Sequence, residues 1–410
     1  MSATALKDDT TDPVPDIDAL YRPTHDERAR QGFISVLRNH TKRTMRDEMQ
    51  RRYLEHVQPE FERRQGRTPA NGSEVERCME PLPYYQFYSS IRYNAQEMMY
   101  LSTMEAVERE LPQMIELAKD IAEHPPTGGT LRLDSDLEAP HYVTALDVHL
   151  APGCFHSEYT ENDVAQGMMQ AQGGRVSTGA NAHRMGDLGG VGKSVGYWLT
   201  QKFPAFKPRR MLDIGTLSGK NLLPYCDAFP EVEAYGVDIS APGLRYGHAK
   251  AEYYGKRVHF SQQNAEYLDF PNNYFDLIVS SFFFHEIPLS ATRRILKQCQ
   301  RLLAPGGIMA HMELPAQNQC DPWLNFYWDW DAKYNNEPFY VQFRSQDFLS
   351  LLEEAGFESE SNFTTTVPNR STFNMADYPK IISGEMTAPL HGRGGWFIFG
   401  AAPPGLCHDS

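Results

Sequence analysis

The stretch Met211-Leu212-Asp213-Ile214-Gly215-Thr216-Leu217-Ser218-Gly219-Lys220-Asn221 decides the fold. Its apolar residues run into a glycine-punctuated turn and then toward a helix. That is the pattern of a buried strand whose following loop lets a ligand press against main chain, with helix-terminal N–H groups aimed at it. About nineteen residues beyond Gly219, Tyr235-Gly236-Val237-Asp238-Ile239-Ser240 reads as an apolar strand ending in a carboxylate. An acidic side chain at that offset accepts hydrogen bonds from ribose hydroxyls in nucleoside sites. Alone, the two glycines would mark an ordinary turn and Asp238 an ordinary helix cap; their joint order carries the signal.

Working outward, strands are expected at 257–262, 274–280, 307–313 and 395–401, and helices at 220–228, 243–254, 290–303 and 345–355. This alternation argues a parallel sheet covered on both faces. Gln262-Gln263-Asn264-Ala265 follows the third strand, Asp276-Leu277-Ile278-Val279-Ser280 forms the fourth, and Leu303-Ala304-Pro305-Gly306-Gly307 opens the fifth.

In order and spacing these segments resemble the class I S-adenosylmethionine-dependent methyltransferases over roughly residues 195–320, with a weaker continuation to the C-terminus. The resemblance implies an α/β fold: a Rossmann-like, doubly wound, mostly parallel seven-stranded sheet with helices on both faces. It also implies S-adenosyl-L-methionine as cofactor and S-adenosyl-L-homocysteine as its product. The family's first strand and loop read acidic-x-Gly-x-Gly-x-Gly, which falls here on Asp213, Gly215, Leu217 and Gly219, so a leucine stands at the middle glycine. The resemblance further implies that Asp213, Gly215, Thr216, Ser218 and Gly219 form the cofactor loop and that Asp238 and Ile239 meet the ribose. Asn264 and Ala265 would meet the adenine, and Ser280, Ser281 and Phe282 would line the pocket after strand four. A nicotinamide dehydrogenase is the other reading of a glycine loop plus an acid, and the later segments fit it less well.

The chain of 410 residues has room for more than this unit. Residues 1–23 read as a flexible tail, 24–135 as a helical N-terminal domain, 136–195 as a glycine-rich linker or lid, and 196–410 as the methyltransferase domain with an aromatic insert at about 321–345. Met98, Leu101, Met104, Val107, Leu111, Met114, Ala118 and Ile121 recur at steps of three and four, painting one helix face behind the aromatic run at 83–94. His141 to Leu150 reads as a short strand. From Thr24 to Arg67, eleven Lys/Arg stand against seven Asp/Glu, which reads as a solvated amphipathic face before it reads as an anion site.

Composition excludes several classes. The net charge of −14 repels phosphate backbones and anionic membranes, so no nucleic-acid partner is expected. The longest apolar run, Leu277 to Phe284, is far shorter than the roughly 20 residues of a spanning helix. The opening MSATALKDDTTDPVPD lacks the apolar run of a secretory signal, which makes the cytoplasm the expected compartment. The six cysteines lie far apart and read as reduced thiols. His141, His149, His156 and His183 lack helical ligand spacing, so no metal is expected.

Methyl transfer from a sulfonium needs alignment in a dry pocket, and a base only when the nucleophile carries a proton. His285, in Phe282-Phe283-Phe284-His285-Glu286-Ile287, is the candidate base or orienting group, Glu313 is a second pocket candidate, and Glu286 is expected in solvent. The expectation is a small-molecule acceptor methylated on N, S, O or C, with a lean to an amine or sulfur from the aromatic and acidic residues of 321–337. The alternatives are a catalytically altered cofactor-binding interaction protein and a protein methyltransferase. A homodimer through the N-terminal helices is an open possibility.

Overall fold

The computed structural model describes residues 14–178 and 189–403. Its first part is helical: α1 (His25–His40), α2 (Arg46–Arg52), α3 (Gln58–Gln65), α4 (Gly72–Met79) and α5 (Pro83–Glu123). Thr24 caps α1 in a reciprocal capping box with Glu27, and single π-helical turns at Thr41–Met45 and Tyr53–Val57 join the first three helices. Then follow β1 (Thr130–Arg132), α6 (His141–Thr144), α7 (Ala165–Thr178) and α8 (Gly190–Lys202). The alternating part comprises β2 (Arg210–Ile214), α9 (Leu223–Ala228), β3 (Glu233–Asp238), α10 (Ala241–Tyr253), β4 (Val258–Gln262), β5 (Phe275–Ser281), α11 (Leu289–Leu302) and β6 (Leu303–Glu313). The chain closes with α12 (Pro322–Lys333), α13 (Tyr340–Arg344), α14 (Phe348–Ala355), β7 (Asn362–Pro368), α15 (Tyr378–Ile382) and β8 (Gly395–Ala401).

The sheet has eight strands in the order β1-β4-β3-β2-β5-β6-β8-β7, with β8 antiparallel to both neighbours. Successive residues of β2 point to opposite cores: Met211 packs with Leu277, Ile308 and Ile398, whereas Leu212 packs with Ile278, Met309 and Phe399. Burial on both faces explains the unbroken apolar strands. The strand order reverses at β2, and the carboxyl ends of β2 to β6 meet at one edge, where such sheets bind ligands.

The fold departs from the sequence expectations in particulars. The eighth strand, β1, pairs with β4 and covers an edge that would otherwise expose unpaired backbone groups; Thr130 Oγ1 meets His259 Nδ1 at 2.9 Å. The aromatic run at 83–94 is part of one continuous helix, α5, because Tyr85 and Tyr88 are buried there. Residues 141–150 form a helical turn and a second tight turn in place of a strand; the Cys154 N–H donates to Asp147 Oδ1 (3.1 Å), folding this segment back on itself. Part of the glycine-rich segment is helical. In α7 a Cβ on Gly167 would strike Tyr246, and one on Gly173 would lie 3.0 Å from Tyr100 Cε1, so these glycines admit neighbouring helices. Gly179, His183 and Gly186 lie outside the described residues. Residues 17–20, expected in a tail, dock: Ile17 is fully buried, and Lys250 Nζ bonds Asp16 (2.7 Å) and Asp18 (3.0 Å).

The aromatic insert becomes α12, which packs on the N-terminal helices. Trp323 stacks on Tyr53 at 4.9 Å and Trp330 lies 4.4 Å from Tyr88, centroid to centroid. Among the described residues no helix is long and apolar enough to cross a membrane.

Candidate active site

A cavity of about 580 Å³ opens over the carboxyl edge of the sheet. The loops after β2, β3 and β5 form one part of its wall; α1 and the π turn after it, α5, α6, α7, α12 and the turn carrying His149 add to it. A smaller cavity of about 50 Å³ shares Gly215, Asp238 and Ile239 with it and continues to Asn264 and Ala265.

At the sheet end, Gly215 and Gly219 adopt left-handed backbone (φ +69° and +67°), which glycine enters without a steric penalty. Leu217 shares that handedness at φ +45°. Its side chain lies against Gly243 at the start of α10, where a Cβ would come 2.6 Å from Leu217 Cδ1. The leucine at the middle glycine is thus accommodated by a glycine elsewhere. Asp238 holds the loop: Oδ2 accepts from the Leu217 N–H (2.8 Å) and Oδ1 from the Ser240 N–H (2.9 Å).

Of the residues expected at the cofactor, Gly215, Thr216, Ser218, Asp238, Ile239, Ser281 and Phe282 line the larger cavity, and Asn264 and Ala265 line the smaller one. Asn264 Oδ1 already accepts the Glu266 N–H at 2.9 Å. Asp213, Gly219 and Ser280 are not among the lining residues. Burial, with the Asp238 charge adding to it, pushes the Asp213 carboxyl up to about 7. Ser280 Oγ pairs inward with His311 Nδ1 at 2.8 Å.

At the other end, His285 and Glu313 meet each other behind the cavity wall, and Glu286 is the residue that lines it. Glu313 is fully buried; Oε1 accepts from the Phe283 and Phe284 N–H groups (2.8 and 2.6 Å), and Oε2 meets His285 Nδ1 at 2.5 Å. His285 is itself buried and stands behind the wall. Glu286, expected in solvent, lines the cavity, with Oε1 2.8 Å from His149 Nε2. Glu337 Oε1 lies 3.3 Å from His149 Nδ1, and Asn335 Nδ2 lies 2.7 Å from the same nitrogen. Burial opposes charge on His149, yet Glu286 and Glu337 hold it well above the ordinary imidazole value; Glu313 and Glu286 do the same for His285. Glu286 is held well below the usual carboxylate range: burial pushes it up, and His149 and His285 together outweigh that. One ligand atom each from His149, Glu286 and Glu337 falls within 4.8 Å of the others, a spacing set by the fold and invisible to helical periodicity. Also absent from the sequence reading are Arg38, Lys42 and Arg92, which line the same cavity from the N-terminal helices.

Residues 211–307 match the family model described as a methyltransferase domain. Over 108 residues the chain is 33% identical to a demethylmenaquinone methyltransferase of Thermus thermophilus, covering 26% of this chain and 48% of that protein. Over 188 residues it is 23% identical to a tRNA N(3)-methylcytidine methyltransferase of Drosophila melanogaster, covering 40% and 56%. Among solved structures, phosphoethanolamine N-methyltransferase 2 of Haemonchus contortus, in complex with phosphomonomethylethanolamine and S-adenosylhomocysteine, aligns with TM-score 0.38 and 18% identity over 53% of this chain and 54% of that one. The chain spans about half the length of these curated relatives. Residues 211–307, within its alternating part, therefore carry a methyltransferase domain.

Proposed function

We propose that this protein is an S-adenosyl-L-methionine-dependent methyltransferase acting on a small molecule enclosed between the sheet and the N-terminal helices. The observation that carries the reading is a single cavity joining the glycine loop and Asp238 to the His149–Glu286 pair.

The residues fit the cofactor. Gly215, Leu217 and Gly219 turn the loop backbone toward the cavity edge, Asp238 keeps lone pairs beyond its two backbone bonds, and Ser281 Oγ is buried without a partner among the described residues. We assign Gly215, Thr216 and Ser218 to the methionine part, Asp238 and Ile239 to the ribose, Asn264 and Ala265 to the adenine, and Ser281 and Phe282 to the floor of the site. When bound, the cofactor supplies an electrophilic methyl on a sulfonium.

The chain then has to align an acceptor atom and remove its proton where it has one. Glu286 is suited to orient that atom: it lines the cavity ionised, and its Oε2 is buried without a hydrogen-bond partner among the described residues. His285 and Glu313 act as positioning residues, fixing the turn that presents Phe282 and Glu286. The acceptor is a nitrogen, sulfur, oxygen or carbon nucleophile. The aromatic insert supplies no amine cage: Trp323, Phe326 and Trp330 are buried in packing and none lines the cavity.

Calorimetry with S-adenosyl-L-methionine followed by methyl release on a panel of small acceptors tests the reading. Binding with turnover that falls at least tenfold in Glu286→Gln is expected. No cofactor binding overturns it, and binding without turnover on any acceptor favours the interaction-protein alternative.

A further inference from the structure

The largest unexplained feature of the cavity is its positive charge. Arg38 and Arg92 are 5% and 4% exposed, yet both line the cavity, as does the exposed Lys42. The three come from α1, the π turn after it, and α5. Arg92 Nε donates to Asp331 Oδ1 at 2.6 Å. Among the described residues, Asp331 is the only carboxylate ion-paired with any of the three. The other contacts are neutral: Arg38 reaches Gln96 Oε1 (2.5 Å) and Ser177 Oγ (3.1 Å), Lys42 Nζ reaches the same Ser177 Oγ (3.0 Å), and Arg92 Nη1 reaches Gln96 Oε1 (3.2 Å). Arg38 Nε is buried with no partner among the described residues.

Three cations against one anion, with Arg38 and Arg92 withdrawn from bulk water, is an arrangement that burial alone disfavours. It is all the more specific in a chain whose net charge is −14. Guanidinium forks match the planar oxygens of carboxylate and phosphate, and an ammonium adds a point charge. We propose that Arg38, Lys42 and Arg92 form an oxyanion subsite that seats a carboxylate or phosphate group of the methyl acceptor; the acceptor part of this inference rests on the methyl-transfer reading.

Two further observations agree. Burial with the Arg92 charge pushes Arg38 down to about 10, and a bound anion reverses that shift. The basic group is also wired to the other pole of the cavity. Gln96, which holds Arg38 and Arg92, donates from Nε2 to the His149 carbonyl at 2.9 Å. An acceptor anchored by its oxyanion therefore presents its far end toward His149 and Glu286. The class implied is a small molecule with an oxyanion at one end and the methylated atom at the other. The basic run of the N-terminal helices, which in sequence resembles a solvated face, thus sends Arg38 and Lys42 into the cavity.

The test is calorimetric titration of the full chain with inorganic phosphate and, separately, acetate, with S-adenosyl-L-methionine binding measured in parallel. One saturable site per chain is expected for at least one anion. Lys42→Met weakens it tenfold or more, Ser177→Asp abolishes it by placing a carboxylate between Arg38 and Lys42, and Arg63→Met on the exposed face of α3 leaves it unchanged. Ser177→Asp should melt no lower than the parent chain, which separates loss of binding from loss of fold. Tighter phosphate binding assigns a phosphate-bearing acceptor, and tighter acetate binding a carboxylate. No saturable binding of either anion, or undiminished affinity in both Lys42→Met and Ser177→Asp, overturns the subsite. Anion binding without cofactor binding removes the methyl-transfer reading and leaves the subsite standing, whereas cofactor binding without anion binding removes the subsite alone.

Discussion

His149 Nε2 lies 2.8 Å from Glu286 Oε1, and that contact ties the turn ahead of α7 to the loop after β5 across the cavity. The His149 backbone sits at φ +58°, a left-handed conformation uncommon outside glycine, so the surrounding contacts hold it there.

Glu286→Gln tests this pair through pH. The folded chain favours the His149 imidazolium above its unfolded value, so the pair's stabilisation is fully present below about pH 6.5 and is lost as pH rises through the raised folded value. His149 and Glu286 are half-buried, so removing one charged member costs less than the roughly 3–5 kcal/mol of a fully buried pair. Urea unfolding of Glu286→Gln should therefore show a larger loss at pH 6 than at pH 9. An equal loss at both would mean that His149 keeps one protonation state across that range, and a loss that grew with pH would overturn the pairing.

Leu217 and Gly243 form a size-complementary couple. Gly243→Ala brings a Cβ to 2.6 Å from Leu217 Cδ1 and 2.7 Å from Ser240 Oγ, so the Leu217 side chain must move from its place against α10. S-adenosyl-L-methionine affinity should drop about tenfold, roughly 1.4 kcal/mol. Leu217→Gly, which also relieves a left-handed strain of roughly 1–2 kcal/mol, should restore most of it in the double variant. Calorimetry on the four proteins closes the cycle, and purely additive losses would dissolve the couple.

Trp330 measures how firmly the aromatic helix is bound to the N-terminal ones. It is 1% exposed, packs on Tyr88, and donates from Nε1 to Ser89 Oγ at 2.8 Å. Trp330→Ala should destabilise by about 3–5 kcal/mol in chemical denaturation. Because Asp331 follows it in the chain, cavity-dependent turnover should fall as well. A loss under 1 kcal/mol would show that the two parts are loosely joined.

What was legible in the sequence and what was not divides along one physical line. Gly215, Gly219 and Asp238 were readable because strand, tight turn and carboxylate are local signals at fixed offsets, and β8 was readable as a continuous apolar run between turns. His149 and Glu286 were not, since their meeting depends on how a chiral turn at φ +58° lands on a distant loop. Glycines in α7 read as freedom, although two of them are there to let Tyr246 and Tyr100 approach. Arg38 and Lys42, four residues apart on a basic helix, carry no mark that distinguishes a cavity wall from a wet surface. Resemblance covered the cofactor half and was silent about the acceptor half, where the contacts are long-range.

Glu313→Gln gives the sharpest view of how the buried layer controls the wall. An amide can keep its oxygen on the Phe283 and Phe284 N–H groups, but its nitrogen then faces His285 Nδ1 as a donor. His285 must accept there, and it loses the partner that contributes most to raising its proton affinity, so the ring gives up its proton more readily. The turn should persist while the charge behind Glu286 changes. The expected result is a kcat lowered about tenfold to hundredfold with cofactor affinity unchanged. His285→Ala should lower kcat by a similar factor, and the double variant little further, because the two residues act as one unit. Steady-state kinetics with parallel calorimetry checks this: multiplicative losses in the double variant, or an unchanged kcat in either single one, would separate Glu313 and His285 from the reaction.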